Sequence, residues 1–188
     1  INRGKNYVFC PGDTAAIRTE GCKIHKKTKL VSFPYSLKTQ LFGHRLRHII
    51  VKDVLPTLDL DYEIDFFGAG VGNFVDDKLE TLQDYMFQIA TENVKKEFYY
   101  TDKILDCLIT GTVPIYWGPD NISNFFNPKG ILQFKSPEEL KGILNNLNKE
   151  KYYDMVPYIK ENYEAAKYYM IQDDFFYDII KKGLKDNG

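Results

Sequence analysis

A chain of 188 residues is long enough for one well-buried domain and short for two, because single domains commonly run to about 100–200 residues. Hydrophobic residues make up 44% of the chain, charged residues 27% and aromatic residues 15%, a composition that excludes intrinsic disorder. The formal net charge of -1 provides no broad basic surface, so nucleic acid is not an expected partner.

Cysteine spacing and hydropathy exclude two further classes. Cys10, Cys22 and Cys107 have neither the CxxC spacing of a zinc site nor the even number of a disulfide framework. No apolar run approaches the ~20 residues needed to cross a bilayer, and no signal-peptide pattern is present. The chain begins at Ile1 rather than Met, which suggests a fragment and leaves room for an upstream domain, anchor or targeting signal. We therefore expect a cytoplasmic or membrane-associated location without deciding between them.

The first half of the chain alternates strand and helix patterns after an irregular start. Residues 1–28 have little periodicity and are predicted to form an irregular N-terminal segment. A strand is predicted at Lys29–Ser36 and a helix at Leu41–Val54, where apolar residues recur at helical spacing. A second strand is predicted at Glu63–Phe67, followed by a polar, helix-prone segment at Asp76–Tyr85.

The alternation continues in the middle of the chain. Strands are predicted at Tyr85–Ala90, Thr112–Trp117 and Ile131–Phe134. A helix at Thr101–Ile109, ending at Gly111, separates the first two of these strands. Each strand is thus joined to the next by a segment long enough for a helical crossover.

Helices are predicted for the last third of the chain. Ser136 is a candidate N-cap, followed by proline at the first helical position and a capping-box glutamate, so a helix is expected through about Asn146. Two more helices are predicted near Tyr152–Met170 and Asp173–Leu184.

Strands that alternate with helices of about ten residues indicate βαβ units with a parallel sheet. The predicted fold class is α/β, a Rossmann-like parallel sheet flanked by helices, with one ligand-binding domain at residues 29–188. In such sheets ligands bind beyond the carboxyl ends of the strands. The chemistry is therefore expected in the loops near Ser36, Gly68, Glu92 and Gly118.

A glycine-rich stretch follows the second predicted strand. Gly68-Ala69-Gly70-Val71-Gly72 resembles a phosphate-binding loop, because glycines allow backbone N–H groups to approach an anion, but it lacks the Walker lysine and serine. A tight turn after a strand explains the same residues equally well. Walker, GxGxxG, HExxH and GxSxG patterns are absent from the sequence.

The most informative stretch runs from residue 91 to residue 118. It reads Thr-Glu-Asn at 91–93, Tyr-Tyr-Thr-Asp-Lys at 99–103 and Gly-Thr-Val-Pro-Ile-Tyr-Trp-Gly at 111–118. It resembles the signature of the α-1,3-fucosyltransferase family: a strand ending in Phe-Glu-Asn-Ser, then Tyr-x-Thr-Glu-Lys opening a helix, then a Gly-Thr-Val-Pro strand with a closing glycine. The spacing agrees without a gap. The departures are Thr91 for Phe, Val94 for Ser and Asp102 for Glu.

Two upstream segments extend this resemblance, which covers roughly residues 29–134. Residues 43–48 resemble the segment that supplies the family's phosphate-binding arginine, here Arg47, and residues 65–68 resemble its Asp-x-Phe-Gly element. The resemblance implies the C-terminal, donor-binding domain of a two-domain GT-B glycosyltransferase. It also implies that an upstream acceptor-binding domain supplies the general base, which is therefore not assigned here.

The residue chemistry agrees with donor binding. Lys103 and Arg47 are suited to the diphosphate of a nucleotide sugar and would stabilise it as a leaving group. Asp102 is suited to accept from ribose hydroxyls, and Tyr99 and Thr101 to donate to phosphate oxygens at the helix start. The resemblance adds three residues to this donor-binding set: Glu92, Asn93 and Gly68.

These observations predict a metal-independent, inverting fucosyltransferase that moves fucose from GDP-fucose to a hydroxyl of a glycan or glycoconjugate acceptor. Two alternatives stay open. One is a noncatalytic module that binds a sugar nucleotide. The other is a transferase for a different nucleotide sugar that holds a metal ion through Asp59 and Asp61, whose D-x-D spacing suits Mg²⁺ or Mn²⁺. A solvated loop is the simpler explanation of that pair, because the preceding residues end a helix.

Overall fold

The structure is a computed structural model that describes residues 14–170 together with positions 177 and 181. The first 13 residues of the predicted irregular segment lie outside these residues, as does the predicted helix at Asp173–Leu184 apart from those two positions. Residues 14–28 contain one short 3-10 turn, at Thr19–Gly21.

Five strands form one parallel sheet in the order β2-β1-β3-β4-β5. The strands are β1 at Lys29–Pro34, β2 at Ile64–Phe67, β3 at Tyr85–Thr91, β4 at Val113–Trp117 and β5 at Leu132–Gln133. All seven residues of β3 and all five of β4 are buried, as expected for central strands that are covered on both faces. The predicted α/β fold class is confirmed.

Four α-helices accompany the sheet in the described part of the chain. They are α1 at Phe42–Ile49, α2 at Asp102–Thr110, α3 at Pro137–Leu144 and α4 at Lys149–Lys167. Helix α1 continues as a π-helical turn at Ile50–Val54 and a 3-10 turn at Leu55–Thr57, so the predicted Leu41–Val54 helix is present with a wider last turn.

The predicted helix-prone segment at Asp76–Tyr85 forms only a 3-10 turn, at Lys78–Thr81. The Asp77 side chain accepts from the Leu79 amide, and the Glu80 side chain accepts from the Asp77 amide. These capping contacts close the turn at once. The fully buried Leu82 then anchors the chain in the core just before β3 begins at Tyr85, leaving no length for an α-helix.

The apolar core has two parts, one on each face of the sheet. On one face, Leu46 and Ile50 of the first helix pack with Phe33 and Ile89. On the other face, side chains of α2 pack in a cluster that includes Tyr116 of β4. Helices α1 and α2 therefore cover opposite faces.

The chain also winds in opposite directions from the sheet centre, because β1 leads through α1 to β2 while β3 leads through α2 to β4. The carboxyl ends of β1 and β3 thus form a topological switch point, where open α/β sheets bind their ligands.

Candidate functional site

A cleft of about 260 Å³ lies at this switch point. Its walls come from the carboxyl ends of β1, β2 and β3 and from charged side chains that reach in from the neighbouring helices and turn. The polar, charged and loop residues that line it are Tyr35, Ser36, Arg47, Gly68, Ala69, Lys78, Gln88, Thr91, Asp102 and Lys103.

Helix α1 approaches the end of β3 closely because its second residue is Gly43. A Cβ atom at this position would collide with the backbone carbonyl oxygen of Glu92. The Gly43 amide instead donates to the carbonyl of Asn93 at 2.9 Å. This contact places the next turn of the helix, and with it Arg47, beside the last residues of β3.

Neutral oxygens hold the Arg47 guanidinium. Its Nε donates to the Thr91 hydroxyl at 2.7 Å, and its Nη2 donates to the Thr91 carbonyl at 2.5 Å and to Asn93 Oδ1 at 3.4 Å. The residue is only 8% exposed, and the ion pairs found among residues 14–170 leave it without a carboxylate partner. Burial lowers the pKa of Arg47 against the opposing charges of Glu92 and Asp102, yet arginine stays cationic in proteins. Arg47 is thus a buried cation that lines the cleft and is held, among the described residues, by neutral oxygens alone.

The start of α2 is built on the buried carboxylate of Glu92. Thr101 is the N-cap of the helix, and Glu92 accepts both from its amide at 3.0 Å and from its hydroxyl at 2.7 Å. Tyr116 donates its hydroxyl to the same carboxylate at 3.0 Å. Burial raises the pKa of Glu92, and the charge of Lys103 opposes this shift. Glu92 is fully buried and is not among the residues that line the cleft, so its carboxylate is not positioned to contact a ligand bound there directly.

Two lysines share Asp102 at the helix start. Lys103 Nζ lies 3.2 Å from Asp102 Oδ1, 3.0 Å from the Thr101 hydroxyl and 3.8 Å from Glu92 Oε2. Lys78 forms an ion pair with the other carboxylate oxygen of Asp102. Burial alone would raise the pKa of Asp102, but the charges of Lys78 and Lys103 lower it to about 2. Asp102 is therefore ionised at neutral pH.

Lys78 is a cleft residue that the sequence analysis did not identify. It lies in the 3-10 turn before β3 and pairs with both Asp102 and the fully buried Asp106. The sequence signal was weak, because a lysine in a polar segment without a motif looks like a solvated residue. Gln88 and Thr91 were likewise not proposed as cleft residues, since strand residues in an apolar run are read as core.

The glycine-rich loop after β2 is a tight turn that also forms one wall of the cleft. Gly68 has a φ of +102°, and a Cβ atom there would lie 2.9 Å from the Tyr35 carbonyl oxygen. The Gly70 amide donates to that same carbonyl at 3.0 Å. The tight-turn explanation describes this loop, and the Gly68 amide likewise donates within it, to the Asn73 carbonyl at 2.6 Å. Gly68 and Ala69 also line the cleft, and anion binding by the loop stays a prediction.

The structure separates the predicted donor-binding residues into two groups. Four of them line the cleft: Arg47, Gly68, Asp102 and Lys103. The other four lie behind or beside it: Glu92, Asn93, Tyr99 and Thr101. In that second group Glu92, Asn93 and Thr101 contact Arg47 or Lys103, and Tyr99 is half-buried in the loop before α2.

The D-x-D pair is remote from the cleft. Asp59 and Asp61 are exposed and precede β2, so they lie at the amino edge of the parallel sheet, opposite the edge that carries the cleft. Elsewhere in residues 14–170, no group of three or more metal-ligating side chains is found.

Comparison with known proteins identifies the family. The family model for glycosyltransferase family 10 (fucosyltransferase), C-terminal domain, matches residues 24–178. The chain belongs to this family. It is 33% identical over 115 residues to the alpha-(1,3)-fucosyltransferase FucT of Helicobacter pylori, a match that covers 58% of this chain and 24% of the relative.

Solved structures of alpha1,3-fucosyltransferases share the fold. A crystal structure of an alpha1,3-fucosyltransferase superposes with a TM-score of 0.54 and 27% identity, over 70% of this chain and 38% of that one. A second, with GDP-fucose, has a TM-score of 0.54 and 22% identity, over 81% of this chain and 49% of that one. The chain therefore spans about half or less of the proteins it matches.

Among the described helices, none combines the length and apolarity needed to cross a membrane.

Proposed function

We propose that this family 10 chain binds GDP-fucose in the switch-point cleft and forms the donor half of an inverting fucosyltransferase. The observation that carries the proposal is Arg47, a buried cation in the cleft that is held by neutral oxygens. A buried charge without a counter-ion is costly. A diphosphate would supply that counter-ion, and arginine can bind it with two parallel hydrogen bonds.

The other charged residues of the cleft suit the rest of the donor. Lys103 would contact the diphosphate from the start of α2, where helix geometry also favours an anion. Asp102, held ionised by its two lysines, would accept from the ribose hydroxyls. We propose that Tyr99, Thr101, Asn93 and Glu92 shape this site as the family signature implies, the last three through their contacts with Arg47 and Lys103.

The reaction would proceed by displacement at the anomeric carbon. An acceptor hydroxyl oxygen bonds to that carbon as its bond to the diphosphate oxygen breaks, and the hydroxyl proton passes to a general base. Negative charge then accumulates on the departing GDP, where Arg47 and Lys103 would stabilise the transition state more than the bound donor. These two cations would do the work that a metal ion does in D-x-D transferases.

The general base is proposed to lie outside this cleft. Asp102 is the one acidic side chain among the described residues that line the cleft, and it is ion-paired to two lysines. An acceptor-binding domain, as the family resemblance implies, would supply both the base and the site for a glycan or glycoconjugate. The same observation supports a second candidate, a module that binds the sugar nucleotide without turnover.

A thermal-shift panel of GDP, UDP, CDP and dTDP sugars tests donor binding, because a ligand that binds only the native state raises its melting temperature. We expect stabilisation by GDP-fucose and GDP that exceeds the effect of the other nucleotides. Arg47→Met should reduce it strongly without abolishing it, because Lys103 still contributes a positive charge to the cleft. Arg45→Met is the matched control, since Arg45 lies on the same helix but is exposed and donates to the Thr39 and Gln40 carbonyls. A stronger response to UDP sugars would contradict the assigned donor.

An activity assay then separates the two candidates. Residues 1–188 alone are expected to bind GDP-fucose but to show little transfer to a lactosamine-type acceptor. Robust transfer by this chain would place the base within it and contradict the missing-base proposal. If a longer chain with an acceptor domain bound the donor and still gave no transfer, the noncatalytic candidate would be favoured.

A further inference from the structure

We propose that Thr91 is a positioning residue, which orients the Arg47 guanidinium for the bound diphosphate without neutralising its charge. This inference rests on the proposed function, because it concerns how the same cleft binds its anion. It assigns a role to the position at which this chain departs from the family signature by carrying threonine in place of phenylalanine.

The geometry is a two-point contact from a single residue. Nε and Nη2 of Arg47, the two nitrogens on one edge of the guanidinium, donate to the hydroxyl and the carbonyl of Thr91 at 2.7 and 2.5 Å. A guanidinium makes such paired contacts because its N–H groups form a rigid, planar fork. One edge of Arg47 is thereby fixed to the end of β3.

The remaining edge is left for a ligand. It consists of Nη1 and the second N–H of Nη2, and the latter makes only a long contact of 3.4 Å with Asn93 Oδ1. Among the contacts of residues 14–170, Nη1 has no hydrogen-bond partner. A phosphate that binds Arg47 through two hydrogen bonds therefore has one edge to use, and Thr91 decides where that edge lies.

The neutrality of Thr91 matters as much as its position. A carboxylate at this place would orient the guanidinium equally well but would also form an ion pair with it and compete with the incoming phosphate. A hydroxyl and a carbonyl hold the fork and leave its positive charge uncompensated. Thr91 is 2% exposed, so water does not weaken these two contacts.

The phenylalanine of the family signature lacks a hydroxyl to accept from Nε. The backbone carbonyl remains in either case, so the side chain of Thr91 adds the second point that fixes the rotation of the fork. Thr91→Val is the closest test of this contact. Valine has nearly the shape of threonine and suits a β-strand, and it removes the acceptor.

A double-mutant cycle measured with GDP separates positioning from packing. GDP affinity is determined by calorimetry for the parent, Thr91→Val, Arg47→Met and the double variant. Thr91→Val should weaken GDP binding roughly 3- to 10-fold, less than the loss of a direct charged contact to phosphate, because the guanidinium and its charge remain in the cleft. In the Arg47→Met background the same change should alter GDP affinity less than about 2-fold, because the fork to be oriented is gone. Thr91→Ser, which keeps the hydroxyl, should restore affinity to near the parent value.

The outcomes are distinct. An equal loss of affinity in both backgrounds would show that Thr91 acts independently of Arg47 and would overturn the inference, as would GDP binding by Thr91→Val at the parent level. If Thr91→Val failed to fold, Thr91→Ala in the same cycle would give the same comparison. A parent chain that did not bind GDP would overturn the proposed function itself, and the inference with it.

Discussion

Lys78, which lines the cleft, forms an ion pair with Asp106 in which the carboxylate is fully buried and the ammonium is partly solvated. The other oxygen of Asp106 accepts from the backbone amides of Ala16 and Ile17 at 2.7 and 3.2 Å. Lys78 also pairs with Asp102. One lysine thus connects the cleft to helix α2, and Asp106 ties that helix to the segment that precedes the sheet.

Lys78→Met should therefore destabilise the fold. Removing one partner of a buried pair leaves the Asp106 carboxylate uncompensated, and a loss of about 2–4 kcal/mol is expected because Lys78 is partly exposed. Urea unfolding measures this change. Lys52→Met, at an exposed position, is the control. Adding Asp106→Asn should recover part of the loss, and a change below about 1 kcal/mol in the single variant would contradict the importance of the pair.

The burial of Lys27 should make the stability of the fold depend on pH. Its ammonium is buried and donates to the carbonyls of Leu82 and Gln83 and to the hydroxyl of Thr112. Burial lowers the pKa of Lys27 to about 7, whereas in the unfolded chain it has its ordinary value near 10.5. Between these values the unfolded chain binds a proton that the folded chain does not, so the free energy of unfolding should rise with pH, by about 1.4 kcal/mol per pH unit, and level off below about pH 7.

Lys27→Met should remove this rise. The unfolding free energy of parent and variant is compared by urea titration between pH 7.5 and 9. The difference between the two proteins should change with pH, and it reports Lys27 alone because the other groups titrate in both. Lys52→Met again serves as the exposed control. A difference that stays constant with pH would mean that the three oxygens hold Lys27 charged in the folded chain.

The fold was predictable because its signals are local. Alternating apolar segments indicated every described strand, and Thr101 and Gly111 marked the ends of α2 as its N-cap and its left-handed C-cap. The helix predicted for Asp76–Tyr85 was wrong because its structure depends on a non-local contact. Burial of Leu82 in the core overrides the helix propensity of this segment, and the local sequence does not report such tertiary packing.

The site was predictable only in part. The family signature indicated which residues matter around α2 and led to Arg47, but a motif does not distinguish a side chain that faces the ligand from one that supports it. Glu92 is an example, since its carboxylate is buried under the helix start. Lys78 was missed because its partners Asp102 and Asp106 lie 24 and 28 positions further along the chain, a separation that no periodicity reports.

Donor binding should not depend on a divalent metal ion. Arg47 and Lys103 provide the positive charge proposed to neutralise the diphosphate, and Asp59 and Asp61 lie at the opposite edge of the sheet. Calorimetric titration of GDP-fucose in excess EDTA should give the same affinity as titration with Mg²⁺, to within about 2-fold. Loss of binding in EDTA that Mn²⁺ or Mg²⁺ restored would contradict the metal-independent proposal, and Asp59→Asn would then show whether the D-x-D pair is responsible.

Lys103 should contribute to donor affinity and to stability through separate partners. Lys103→Ala removes a charge-assisted contact to the diphosphate that is typically worth about 1.5–3 kcal/mol, so GDP-fucose affinity should fall roughly 10- to 150-fold. The sequence alone predicts a stability cost below about 1 kcal/mol for a solvated lysine. The structure raises that expectation to about 1–2 kcal/mol, because Lys103 lies 3.8 Å from the fully buried carboxylate of Glu92.

The double variant Lys103→Ala/Glu92→Gln separates the two effects. Glutamine keeps an oxygen for the Thr101 amide and the Tyr116 hydroxyl but carries no charge, so the stability lost in Lys103→Ala should largely return. Donor affinity should stay low, since the cation is still missing from the cleft. Lys103→Arg should recover some binding, though less than the parent, because the guanidinium is larger and planar. If Lys103→Ala bound GDP-fucose as tightly as the parent, or if Glu92→Gln restored affinity along with stability, then Lys103 would act through the fold, and the donor contact assigned to it would have to be abandoned.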